Sequence, residues 1–186
     1  KPLGCYGDGG AIFTDDDEMA TLLLSLRVHG KGDNKYDNVR IGMNSRLDTM
    51  QAAILQVKLK AFIDYERDKV NEVAERYDQL LAGKVKTPTV QKGFLSSWAQ
   101  YSILLADRTQ RDGLQAYLKE KGIPSMVYYP KPMHEQKAFE KDICQKVDLP
   151  VTADLCNRVL ALPMHPYLEE QTQVEIVEAI YTYLRK

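Results

Sequence analysis

The chain predicts an α/β fold, and two patterns in it do so. Beyond Gly83, short apolar stretches of strand composition alternate with amphipathic stretches at helical spacing. Before Gly83, one helical apolar repeat runs from Leu47 to Leu80, behind an opening in which a lysine precedes four glycines within ten residues. A boundary is therefore expected near Gly83, dividing residues 1–83 from residues 84–186.

The opening Lys1-Pro-Leu-Gly-Cys-Tyr-Gly-Asp-Gly-Gly10 reads as a tightly turned loop delivering one amine beside a short buried strand, Ala11-Ile12-Phe13. A free lysine amine has a pKa of about 10.4, so it must be desolvated or set near another cation before it attacks a carbonyl at neutral pH. A solvated lysine ahead of a glycine turn fits the same spacing, and spacing alone favours it. Thr14 is placed to cap the next helix, with Asp15, Asp16 and Asp17 at the positive end of its dipole. Met19, Leu22, Leu23 and Leu26 form its apolar face, and Gly30 is placed to end it. Segment 30–42, with Lys31, Lys35 and Arg40, is expected to be a loop that orders when something docks on it. His29, at its start, either caps the helix or meets a substrate.

Ser45 as N-cap with Asp48 three positions on predicts a helix from about Arg46, which Met50, Ile54, Val57, Phe62, Val70, Val73 and Tyr77 carry to about Ala82. At 1.5 Å per residue that helix would span on the order of 55 Å, enough to bridge two domains or subunits. A kink is expected near residues 64–68, where the apolar stripe thins. Free backbone N–H groups at the helix start, together with Arg46, form a candidate anion site. Asn44 and Arg46 either serve such a site or only cap the helix.

Residues 98–106 have strand composition, and residues 107–121 form an amphipathic helix through Leu114, Tyr117 and Leu118 that Gly122 ends. Residues 125–129 read as a second strand stopped by Pro130. Residues 151–159 and 171–185 read as helices, with Leu160-Ala161-Leu162 a strand between them. Tyr128, Tyr129, His134 and His165 are the functional candidates of this region, although strand tyrosines also serve as half-buried packing.

A net charge of -1 gives no signal for a polyanionic partner such as nucleic acid. Cys5, Cys144 and Cys156 are odd in number and lack metal-ligand spacing, which fits a reducing compartment. The three histidines are widely separated, so no zinc site is expected. No apolar run approaches the roughly 20 residues that span a bilayer.

Taken in order, Lys1-Pro-Leu-Gly4, Gly7-Asp-Gly-Gly-Ala11, Gly42-Met-Asn-Ser-Arg-Leu-Asp48 with Gln51-Ala-Ala53, Gly122-Ile-Pro124, Tyr129-Pro130 and Leu162-Pro-Met-His-Pro166 resemble the DegT/DnrJ/StrS family. These are nucleotide-sugar aminotransferases dependent on pyridoxal 5'-phosphate (PLP). The resemblance implies an α/β PLP-dependent transferase fold of type I. Residues 1–83 would supply the end of the large PLP-binding domain and a long interdomain helix, and residues 84–186 the small C-terminal α/β domain. It implies that Lys1 carries PLP as a Schiff base and acts as general acid and base. It implies that Asn44 reaches the cofactor phosphate of the partner subunit in a homodimer, and that Arg46, Tyr128 and Tyr129 face the nucleotide sugar. The family usually has His-Tyr-Pro where this chain has Tyr128-Tyr129-Pro130, so the sugar contacts are expected to differ.

By the same resemblance, the chain corresponds to the C-terminal half of the family's length, beginning at the cofactor lysine. The groups that face the pyridine nitrogen, stack on the ring and cradle the phosphate would come from the upstream half. The implied reaction is cytoplasmic transfer of an amino group, from glutamate through PLP, to a keto group of a UDP-linked hexose for surface polysaccharide or amino-sugar biosynthesis. The opening ten residues resemble most closely the branch acting on UDP-linked 3-keto acetamido sugars. Two alternatives stand beside this: a non-catalytic relative that binds sugar or PLP, and an interaction module made of a long helix and a small lobe.

Overall fold

Each helix begins where an acidic or proline residue fits its first turn. The structure, a computed structural model, describes residues 1–139 and 147–185; Cys144 lies outside them. The chain divides into two units, Leu3–Ile63 with Lys1, and Asp64–Lys186 with Pro2.

In the first unit, α1 (Asp17–Leu26) is capped by Asp16, whose carboxylate accepts the Met19 N–H. Thr14, the expected cap, lies two residues earlier and accepts the Asp16 N–H at 3.1 Å, so it shapes the turn into the helix and does not cap it. Ala11, Ile12 and Phe13 form no strand, and Phe13 is 92% exposed. An apolar triplet becomes a strand only where a neighbour takes its backbone groups, and none among the described residues does. The second helix, α2 (Thr49–Ala61), is capped by Asp48, not by Ser45. The Ser45 N–H is already committed to the Arg27 carbonyl at 2.9 Å, which holds residue 45 in extended pairing. No residue of α2 is buried.

Residues Phe62–Glu66 form a π-helical turn, followed by α3 (Arg67–Leu81). A wide turn thus occupies the stretch where the thinning stripe predicts a kink. Val70, Val73, Ala74, Tyr77 and Leu81 of α3 are buried at helical spacing, in the core of the second unit. That burial is why the observed division falls at Ile63 and Asp64, upstream of the boundary expected near Gly83.

In the second unit, β1 (Tyr101–Leu104) pairs antiparallel with β2 (Val159–Leu162) in the register Tyr101↔Leu162 and Ile103↔Leu160. Single bridges, Lys86↔Leu104 and Met126↔Ala161, extend this ribbon on its two sides. The expected strand over residues 125–129 is reduced to the Met126 bridge, because Pro130 closes the segment and only one of its residues meets β2. The helices of this unit are α3, α4 (Arg108–Glu120, capped by Asp107), α5 (Pro150–Arg158) and α6 (Glu170–Leu184).

The core is built around aromatic residues. Tyr77 stacks on Tyr101 at 4.9 Å, and Trp98 meets the same ring at 5.5 Å. Polar groups inside are paired. Gln173, fully buried, donates to the Val73 carbonyl at 2.7 Å and accepts from Arg76 at 2.8 Å. Arg111, 2% exposed, donates to the Cys156 carbonyl at 3.1 Å. Such pairing offsets the cost of burying these groups.

Candidate functional site in the first unit

The end of α1 sets the position of Asn44 and Arg46. A helix leaves its last carbonyls without intrahelical partners, and here the returning chain takes them. Met43 N–H donates to the Leu26 carbonyl at 2.9 Å, Ser45 N–H to Arg27 at 2.9 Å, and His29 N–H to the Met43 carbonyl at 3.0 Å. Val28 and Asn44 pair as an antiparallel bridge. Two glycines permit this approach. A Cβ on Gly42 would lie 2.2 Å from the Gly30 nitrogen, and one on Gly30 would lie 1.9 Å from the Arg40 oxygen.

Asn44 and Arg46 therefore stand side by side on exposed backbone, with Arg46 Nε donating to Asn44 Oδ1 at 2.9 Å. The bond orients the carboxamide. Its NH2 group and the terminal guanidinium nitrogens of Arg46 have no hydrogen-bond partner among the described residues, so a small array of donors faces outward. Neither residue caps α2. At the α2 start Asp48 Oδ1 already accepts the Gln51 N–H at 2.9 Å, so one of the free N–H groups of the expected anion site is taken by the chain's own carboxylate.

Segment 30–42 is tied at its base. Val39 and Arg40 N–H groups donate to the Gly30 carbonyl at 2.9 and 3.2 Å, and Arg40 Nη1 donates to Ser25 Oγ at 2.9 Å. The docking expected of it has a preformed loop to act on, with Lys35 lying 5.2 Å from the Tyr36 ring centre.

Lys1 is exposed and has no hydrogen bond or ion pair among the described residues. Its loop, however, is anchored. Tyr6 N–H donates to Gln51 Oε1 at 3.0 Å, Gln51 Nε2 donates to the Tyr6 carbonyl at 2.9 Å, and the Cys5 thiol donates to the same Oε1 at 3.1 Å. The spacing of a glutamine three residues after an N-cap carries a signal for a capping box, in which that side chain returns to the cap. Here it goes instead to a loop 45 residues away in sequence.

Residues 8–15, α1 and residues 43–47 surround an open hollow of about 1340 Å³, whose lining includes Ile12, Phe13, Leu23 and Leu24 beside Asn44 and Arg46. Ligand pockets run to about 1,000 Å³ and are largely closed, so this hollow has room for polypeptide as well as a ligand.

The remaining candidates lie in the second unit. Tyr128 and Tyr129 form an edge-to-face pair at 5.7 Å, 36% and 64% exposed. His134 is half-buried, 3.8 Å from Glu135. His165 Nδ1 accepts the Tyr167 N–H at 3.2 Å, a bond that closes a turn. No sequence signal marks the polar cluster at the π-helical turn, where Tyr167 donates to buried Glu66 at 2.5 Å and meets the Tyr65 hydroxyl at 3.2 Å. Those two hydrogen bonds, to Glu66 first, push the Tyr167 hydroxyl above its usual pKa.

The arrangement provides an amine on an anchored glycine loop and an outward pair of anion-binding side chains. Comparison with known proteins bears on what such parts serve. Residues 1–181 match the DegT/DnrJ/EryC1/StrS aminotransferase family. The chain is 43% identical over 183 residues to a UDP-2-acetamido-2-deoxy-3-oxo-D-glucuronate aminotransferase of Pseudomonas aeruginosa, covering 98% of this chain and 48% of that protein. It superposes with a TM-score of 0.91 and 50% identity on a DegT DnrJ EryC1 StrS aminotransferase from Brucella abortus, covering 100% of this chain and 49% of that one. It superposes at 0.89 and 32% identity on DesV of S. venezuelae, solved in complex with a ketimine intermediate, again with 100% and 49% covered. The chain spans about half the length of the curated relatives it matches.

Proposed function

Since the chain belongs to the DegT/DnrJ/EryC1/StrS aminotransferase family, we propose that the protein is a PLP-dependent aminotransferase that moves an amino group from glutamate to a keto group of a UDP-linked hexose. The observation that supports it most is the joint placement, in one unit, of an anchored lysine loop and the Asn44–Arg46 donor pair. The donor set fits PLP. The Lys1 amine would meet the aldehyde of the cofactor in its own subunit, and the Asn44 carboxamide NH2, left without a hydrogen-bond partner among the described residues, suits a phosphate oxygen of the partner subunit's cofactor. When bound, PLP supplies the electron sink for a carbanion at the donor's α-carbon.

In this reading Lys1 Nζ anchors the cofactor, then moves the proton off and back onto substrate carbon as general base and acid. Asn44 Nδ2 donates to the phosphate of the cofactor held by the partner subunit of a homodimer. Arg46 faces the diphosphate of the nucleotide sugar, and Tyr128 with Tyr129 shapes the sugar site. Residues 1–83 supply the end of the large domain and the long interdomain helix, and residues 84–186 the small domain. Exposed apolar residues along α2, such as Met50 and Val57, fit a helix that is covered in the assembled cytoplasmic enzyme. The 3-oxo UDP-sugar named for the Pseudomonas relative favours a UDP-linked 3-keto acetamido sugar, used for surface polysaccharide or amino-sugar biosynthesis.

The test is borohydride reduction of the full-length protein loaded with PLP, followed by peptide mapping. A pyridoxyl adduct on Lys1 is expected, and Lys1→Ala should lower turnover about a thousandfold or more. An unmodified Lys1 would bring forward a non-catalytic or interaction role. Turnover of 4-keto but not 3-keto nucleotide sugars would overturn the substrate assignment.

A further inference from the structure

We propose that Gln51 is a positioning residue for the Lys1 amine, acting as a main-chain clamp on Tyr6. This rests on the aminotransferase reading above and extends it to a residue that touches neither cofactor nor substrate. Gln51 sits in the first turn of α2, where its own N–H is held by Asp48. Its side chain is thereby left for other work, and both amide atoms go to one residue: Oε1 takes the Tyr6 N–H and Nε2 gives to the Tyr6 carbonyl. Only a primary carboxamide offers a donor and an acceptor side by side to match the two groups of one peptide residue. The pairing fixes the loop in two directions at once, as a bidentate contact does.

The rest of the loop folds onto the same point. Cys5 donates its thiol to Oε1, and a Cβ on Gly9 would lie 3.0 Å from the Cys5 sulfur and 3.4 Å from Leu47 Cδ1, so the chain turns back closely over Cys5 and Leu47. From Tyr6 to Lys1 is five residues, at most roughly 18 Å of extended chain, and Gly4 bends that path at a φ of 77°. The amine is thus tethered to the helix start that follows directly on Asn44 and Arg46. Without the clamp, a segment with four glycines in ten residues has little else to define where the amine points. An amine misplaced by about 1 Å reacts on the order of a hundredfold more slowly.

The test uses the full-length PLP-loaded protein and two substitutions. Gln51→Met keeps length and helix propensity but makes none of the three bonds. Gln51→Glu keeps the acceptor for Tyr6 N–H and Cys5 but sets a carboxylate against the Tyr6 carbonyl. Amide hydrogen exchange at Tyr6, followed without substrate, should quicken at least about tenfold in Gln51→Met. Turnover number should fall about ten- to hundredfold, with KM for the nucleotide sugar changed less than about threefold. Gln51→Glu should lie between this variant and the parent. Unchanged Tyr6 exchange overturns the clamp. Faster exchange with an unchanged turnover number overturns its positioning role, as does a loss expressed wholly in KM. If the parent protein shows no transamination, the functional reading falls and the amine's positioning with it, while Tyr6 exchange still reports separately on the clamp.

Discussion

At the scale of single residues, the Arg46 side chain shows how a functional reading changes once its neighbours are known. As a cap for α2 it would be replaceable by any good helix former, but the helix is capped two residues later by Asp48 and begins at Thr49. Arg46 is instead bonded through Nε to Asn44, leaving its terminal nitrogens facing outward. In the proposed reading, removing it costs charge-assisted hydrogen bonds made equally to substrate and transition state. Arg46→Ala should therefore raise KM for the nucleotide sugar about ten- to hundredfold while the turnover number changes little. Steady-state kinetics at several sugar concentrations check this, and an unchanged KM refutes the contact. Melting temperature should hold, since the residue is exposed.

At the scale of elements, what was legible in the sequence is what local chemistry decides. The helices α1, α3, α4 and α6 follow their apolar spacing, and the start of α4 at Asp107 is readable from its side chain alone. Ser45 misled because its rank as a cap residue is local information, while its N–H is taken by Arg27, a contact invisible in a linear reading. Ala11-Ile12-Phe13 misled for a similar reason, since strand formation needs a partner that composition does not supply. The crossing of segment 42–45 over the end of α1 was likewise hidden, although two glycines marked it. Gly30 illustrates the difference between backbone preference and close approach. Its φ of 74° disfavours any side chain, and a Cβ would lie 1.9 Å from a main-chain oxygen that cannot step aside. Gly30→Ala should cost about 3 kcal/mol or more. Gly83→Ala shares the positive φ, at 70°, but meets nothing within 4 Å, and should cost only about 1 kcal/mol. Denaturant unfolding of the two variants, with α1 followed separately by hydrogen exchange, tests the contrast. Equal losses would show that the close approach carries no weight.

At the scale of the whole molecule, alternation of apolar and amphipathic stretches was enough for the α/β class, and the family blocks were enough for the family. The division between units was not legible, because the apolar stripe only thins across the π-helical turn and resumes beyond it, and only burial assigns α3 to the second core. That core has a consequence for pH. Burial drives the Tyr77 hydroxyl well above its usual pKa, and Tyr101 is driven up by burial first and by its hydrogen bond to Asp78 second. An unfolded tyrosine ionises near pH 10. Below that value both states keep the proton and the buried rings contribute their full stability. Above it the unfolded chain releases protons that the native state retains, so stability falls as pH climbs toward the folded values. Each ring contributes a slope of about 1.4 kcal/mol per pH unit in that window. Spectrophotometric titration should find three of the eleven tyrosines silent near pH 10, the hydrogen-bonded Tyr167 and the buried Tyr77 and Tyr101, with the buried pair ionising only as the second unit unfolds. Tyr77→Phe should flatten the alkaline fall in melting temperature by one ring's share, whereas eleven tyrosines titrating together in a still-folded protein would contradict the buried stack.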